Sequence, residues 1–139
     1  MLTPRKLAWM RLMFAANVLG AGVPGLLVTF FPAYAQRYLF DGAAQDGLVF
    51  GVTGSVWLAI ALISVLGLRN PVQFAGVFMV QIVYKTLWIT LVGLPAMFQG
   101  DERAQFFVFF FTLVTLGFTF AVPWQQLFRA PLPEGARSA

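Results

Sequence analysis

Four long apolar runs divide this chain, at about 7–31, 47–68, 72–97 and 104–127, each interrupted by only a few polar side chains. A helix needs about 20 apolar residues to cross the hydrocarbon core, so each run can span a bilayer and the connectors between them are short. The pattern predicts an all-α integral membrane four-helix bundle whose sequential neighbours are antiparallel.

Within the first run, the sequence from Gly20 to Gly25 holds three glycines and Pro24. Proline has no N–H and its ring crowds the carbonyl four residues back, so a bend is expected and the Gly20 carbonyl should lose its usual donor. The run is followed by Ala33-Tyr34-Ala35, an A-x-A sequence of the kind cleaved after signal peptides. Secretory apolar regions are about 7–15 residues, shorter than this run, so the first helix is expected to be retained.

The segment 32–46 mixes Arg37, Asp41 and Asp46 with Tyr34, Tyr38 and Phe40, as expected of an interfacial stretch anchored by its tyrosines. Asp46 should cap the second span. In that span Gly47, Gly51, Ser55 and Ala59 recur every four residues, a small-residue stripe that predicts close approach of another helix, in the same bundle before a second subunit. Arg69-Asn70-Pro71 makes a tight turn. The third span ends near Pro95, Asp101-Glu102-Arg103 is an exposed turn, and the fourth span carries phenylalanines on all sides, as lipid-facing helices do. Pro123-Trp124 closes it, and 129–139 reads as a flexible tail.

Composition narrows the chemistry. With 60% hydrophobic and 10% charged residues among 139, the bilayer is the solvent and no room remains for a soluble domain. The chain has no His and no Cys, which removes the usual haem, zinc and copper ligands and thiol or imidazole catalysis. No metal site and no cofactor is expected. The net charge of +4 comes from basic residues scattered at span ends, a topology signal that does not call for nucleic acid. Arg5, Lys6, Arg11, Arg69, Arg129 and Arg137 fall on one side and Arg37 and Arg103 on the other, so both termini are expected in the cytoplasm of a bacterial inner membrane.

The candidate site lies in the third span. Gln81, Tyr84, Lys85 and Trp88 stand at i, i+3, i+4 and i+7 and share one helical face. At 1.5 Å per residue, Asn17, Gly20, Ser55, Gln81, Lys85, Thr112 and Thr115 all fall roughly 14–22 Å from the cytoplasmic end of their spans, a polar layer near the midplane. No carboxylate lies in any span, so the partners expected for Lys85 are neutral. A central Lys costs about 2.5–3.5 kcal/mol on an insertion scale, which the apolar residues around it offset. Three readings stay open: Lys85 anchors a ligand, it is an inter-helix hydrogen-bond hub, or it snorkels or sits deprotonated. The ligand-binding set is Lys85, Tyr84, Gln81, Trp88, Asn17 and Ser55.

The residues Gly51-x-x-Gly54-Ser55-x-Trp57-Leu58-Ala59, then Arg69-Asn70-Pro71, Gln81-x-x-Tyr84-Lys85-x-x-Trp88, Pro95 and Pro123-Trp124 resemble a group of uncharacterised bacterial four-helix inner-membrane proteins, loosely DoxX-like. The resemblance implies a fold and an inner-membrane address, and no catalytic residues. The leading expectation is a membrane module that binds a lipid or small molecule, or an accessory subunit of a larger membrane complex. A small transporter or channel working as a homo-oligomer is the alternative. Enzyme activity ranks third, since no nucleophile, base and orienting group occur together.

Overall fold

The computed structural model describes residues 2–128. It is all-α, with four helical stretches long and apolar enough to cross a membrane: Pro4–Phe30, Gly47–Arg69, Gly76–Phe98 and Glu102–Ala121. The tail expected at 129–139, with Arg129 and Arg137, lies outside the described residues.

The first span is two helices, α1 (Pro4–Gly20) and α2 (Gly22–Phe30). The bend falls where Pro24 withholds a donor from Gly20, and the Ala21 N–H turns back to the carbonyls of Asn17 and Val18. Helix α3 (Pro32–Leu39) is the short interfacial element. The rings of Tyr34 and Tyr38 lie 4.4 Å apart on its exposed side while Ala35 is buried. Helix α4 (Gly47–Arg69) is capped by Asp46, whose Oδ1 accepts from the amides of Leu48 and Val49, both at 3.0 Å. Asp101 caps α7 (Glu102–Ala121) in the same way, through the amides of Arg103 and Ala104.

The third span starts as α5 (Gly76–Trp88) after a turn through 70–75, later than the apolar run suggests. It widens into a π-helical segment, Ile89–Gly93, and ends as α6 (Leu94–Phe98). Pro95 explains the widening. In an α-helix its ring would crowd the Leu91 carbonyl, and a wider turn relieves that contact. The hydroxyl of Thr90 donates to the carbonyls of Thr86 and Leu87 beside this turn, at 2.8 and 3.2 Å. The fourth span stops at Ala121, and residues 124–127 form a separate short helix, α8 (Trp124–Leu127).

Packing follows small residues, but not the stripe expected. A Cβ added to Gly47 or Gly51 would meet nothing within 4 Å, and Ser55 and Ala59 are exposed. The close approach is made by Gly54 of α4, whose Cβ would meet Thr29 and Val28 at 2.7 Å, and by Gly25 of α2, whose Cβ would meet the Leu58 amide nitrogen at 2.7 Å. The inward face of α4 thus runs through Phe50, Gly54, Ala61 and Ser64, one position off the small-residue stripe.

Two cores result. One joins α1, α5 and α7 at the end where the chain starts, around Met10, Phe14, Phe78 and Phe118. The other joins α2, α3 and α4 at the opposite end, around Val28, Ala35 and Phe50. Helix α4 packs chiefly on α1 and α2, and α5 on α7. Consequently α4 and α5, although joined by a short turn, have little contact, and a groove opens between them.

Lys6 strengthens the first core from outside. Its ammonium donates to the carbonyls of Phe120 and Val122 at the end of α7, while the Trp124 indole donates to Thr119 at 2.9 Å. Pro123 leaves the Thr119 carbonyl without a backbone donor, and a cation at a helix C-terminus also meets the negative end of its dipole.

Candidate functional site

The polar residues of α1 and α5 form one chain of hydrogen bonds. The Gln81 Nε2 donates to Asn17 Oδ1 at 2.9 Å, and the Lys85 ammonium donates to Gln81 Oε1 and, at 2.9 Å, to the Tyr84 hydroxyl. Asn17, Gln81 and Lys85 are 4%, 1% and 6% exposed, so the bonds among these three are made out of contact with lipid or water, while the one to Tyr84 is half-buried. Helical spacing explains the arrangement: residue 81 lies one turn below residue 85 on the inward face of α5, and Asn17 meets it in the last turn of α1 before the bend.

Among the described residues Lys85 has no carboxylate beside it, and aromatic faces take that place. Its Nζ lies 4.3 Å from the Tyr84 ring centroid, 5.0 Å from Phe111 and 5.7 Å from Phe118. The negative faces of three rings and two oxygen acceptors stabilise an ammonium without a counter-ion. Among the described residues the one ion pair, Arg103 with Asp41 at 3.2 Å, is exposed and lies elsewhere.

The structure brings Lys85, Tyr84, Gln81 and Asn17 together and leaves Ser55 out, exposed on the other side of α4. The buried serine of that helix is Ser64, which donates to the Ile60 carbonyl at 2.7 Å. The Gly20 carbonyl is not a partner of Lys85, whose bonds go to Gln81 and Tyr84, and Gly20 is exposed. On α7, Thr112 is exposed and donates to the Val108 carbonyl. The Thr115 hydroxyl and the Asn17 Nδ2 are buried with no partner among the described residues.

The groove between α4 and the α5/α7 pair has a volume of about 530 Å³. Its walls are mostly aromatic and aliphatic, with Gln45 and Thr53 among them. Val56 and Trp57 come from α4, Tyr84 and Trp88 from α5, and Phe107 and Phe111 from α7. Phe40, edge-on to Phe50 at 5.1 Å, closes the end nearest the Asp41–Arg103 ion pair. The Trp88 ring lies against Phe111, at 5.1 Å, and over Gly93, where a Cβ would meet it at 2.6 Å. The π-helical segment brings Gly93 under that ring, and any larger residue there would push Trp88 out of the wall.

Tyr84 belongs to both features. It is the one member of the hydrogen-bonded chain that lines the groove, whereas Lys85 stands behind it. Its oxygen accepts from the ammonium, which leaves the hydroxyl proton free to be donated into the groove. The α4 and α7 walls were not foreseen from the sequence. The phenylalanines at 107 and 111 stand four positions apart and line the groove together, a signal hidden by Phe106, Phe109 and Phe110 around them.

Fold and site together define a small multi-pass membrane protein with a buried polar chain ending in a lateral groove. Compared with family models, with curated proteins and with solved structures, the chain shows no match.

Proposed function

We propose that this chain binds a lipid or a lipid-soluble small molecule in the groove between α4 and the α5/α7 pair. The observation that carries the reading is the position of Tyr84, whose hydroxyl joins the buried Asn17–Gln81–Lys85 chain to a mostly apolar cavity. A cavity with mostly hydrophobic walls and a few fixed polar groups has the make-up of a small-molecule site, and its volume falls in the usual range of about 300–1,000 Å³. Asn17, Gln81 and Lys85 are positioning residues in this reading, and Tyr84 and Trp88 touch the ligand.

The inner-membrane address, the DoxX-like resemblance and the cytoplasmic placement of both termini are part of the proposal. The excess of basic residues beside the N-terminus and the α4–α5 turn supports that orientation. It puts the groove, which faces the Asp41 and Arg103 end, in the outer half of the bilayer.

The test is extraction and mass spectrometry of molecules retained by protein purified in a mild detergent, in wild type and in Val56→Trp, which fills the groove from α4. Wild type should retain a compound that Val56→Trp lacks while folding normally. A stoichiometric protein partner with no small molecule bound would favour an accessory-subunit role instead.

A further inference from the structure

We infer that the molecule held in this groove is uncharged and carries an acceptor oxygen, such as that of a ketone, ester or ether, directed at Tyr84. The inference rests on the groove-binding reading above and adds the chemistry of the occupant.

Charge is excluded from both directions. None of the lining residues is Lys, Arg, Asp or Glu. An anionic head would enter apolar walls without a counter-ion, because the Lys85 ammonium is buried behind Tyr84 and directed to Gln81 and Tyr84. A cationic head could meet the rings of Trp57, Trp88 and Phe107, but at the Tyr84 end it would come up against the Lys85 cation, whose Nζ lies 4.3 Å from the Tyr84 ring and 5.0 Å from that of Phe111. A second cation there would be repelled by the first.

The polar group that the buried chain presents to the groove is a donor. The Tyr84 oxygen already receives a proton from Lys85, so its own O–H is the group on offer. The Trp57 indole N–H, which can only donate, is itself turned to the Tyr84 oxygen and leaves the Tyr84 proton as the one on offer. The Thr53 hydroxyl spends its proton on the Val49 carbonyl at 3.0 Å and lies nearer the start of α4. A carbonyl or ether oxygen satisfies this set with no proton of its own left over. An alcohol brings a further proton, and the acceptors in the lining, the Thr53 hydroxyl oxygen and the Gln45 side-chain carbonyl, stand earlier in the chain toward the start of α4 and not on Tyr84.

Four probes of equal chain length separate these possibilities: 2-pentadecanone, 2-pentadecanol, pentadecane and pentadecanoate. Binding to the purified protein in detergent is read from tryptophan fluorescence, since Trp57 and Trp88 both line the groove. The ketone should bind wild type about fivefold more tightly than the alkane, the increment of one net hydrogen bond, and more tightly than the alcohol or the carboxylate. Tyr84→Phe should abolish the preference for the ketone over the alkane, read as the ratio of the two affinities in the same variant. Equal binding of ketone and alkane to wild type, or tightest binding of the carboxylate, would overturn the inference yet leave groove binding intact. Binding of none of the four would overturn both. The ranking in wild type stands by itself if Tyr84→Phe does not fold.

Discussion

Replacing Lys85 by Met asks whether the buried ammonium ties the bundle together or merely sits within it. Its hydrogen bonds run to Gln81 and Tyr84, both on α5, so neither joins two helices. What crosses to α7 is attraction to the rings of Phe111 and Phe118, at 5.0 and 5.7 Å. Each such contact is worth on the order of 1 kcal/mol, and the acceptors left behind lose about 1 kcal/mol more. Against this stands removal of a charge that costs about 2.5–3.5 kcal/mol near the bilayer centre. The opposing effects nearly cancel, and Met preserves the packing of the stem, so stability should change by less than about 1 kcal/mol. Gln81→Leu is the contrasting change. It deletes the 2.9 Å bond between α5 and α1, strands the buried Asn17 amide and takes an acceptor from Lys85. Interhelical hydrogen bonds in membranes average about 0.6 and reach about 1.7 kcal/mol, and the stranded groups add to that, giving a loss of about 1–3 kcal/mol. Reversible unfolding in mixed micelles of mild and denaturing detergent measures both variants. A loss above about 3 kcal/mol for Lys85→Met with none for Gln81→Leu would refute the reasoning.

The remaining predictions concern packing, capping and topology. Gly25→Ala places a Cβ 2.7 Å from the Leu58 amide nitrogen and should cost about 1–3 kcal/mol, whereas Gly20→Ala, with nothing within 4 Å, should be neutral or slightly stabilising in the same unfolding assay. Lys6→Met uncovers the last carbonyls of α7 and should lower stability by about 1 kcal/mol, with Lys6→Arg retaining most of it. Because the chain has no cysteine, single cysteines at the exposed Ala43, Asn70 and Gln99 can be labelled on intact cells with an impermeant maleimide. Ala43 and Gln99 should react and Asn70 should not; the reverse pattern would invert the proposed orientation.

The four spans were legible because burial in lipid demands long apolar runs whatever the tertiary contacts. The association of Gln81, Tyr84 and Lys85 was equally legible, since helical spacing alone puts them on neighbouring turns. Asn17 could be matched to them by depth. Ser55 could not be excluded in that way, because depth says nothing about which way a helix is rotated. Rotation of α4 is set by Gly25 of α2 seating against Trp57 and Leu58 and Gly54 of α4 seating against Val28 and Thr29, a fit invisible in either helix alone. The groove was hidden for a related reason. It exists because α4 packs on α1 and α2 while α5 packs on α7, and a short connection between α4 and α5 gives no hint that they diverge. The widened turn before Pro95 had a local signal in Gly93 and Pro95, but only the Trp88 ring resting over Gly93 shows its use as part of a wall.

Photo-crosslinking in the native membrane tests groove binding most directly. A benzoylphenylalanine in place of Phe107 lies in the groove wall, and one in place of Phe109, which is 76% exposed, faces the surroundings two residues away on the same helix. After irradiation and mass spectrometry, position 107 should yield one dominant adduct of a compound absent or minor at position 109, where the bulk membrane lipids should appear. Filling the groove with Val56→Trp should abolish the adduct at 107 and leave those at 109 unchanged. The same mixture of bulk lipids at both positions, unaffected by Val56→Trp, would mean that the groove is ordinary lipid-facing surface and holds no ligand of its own.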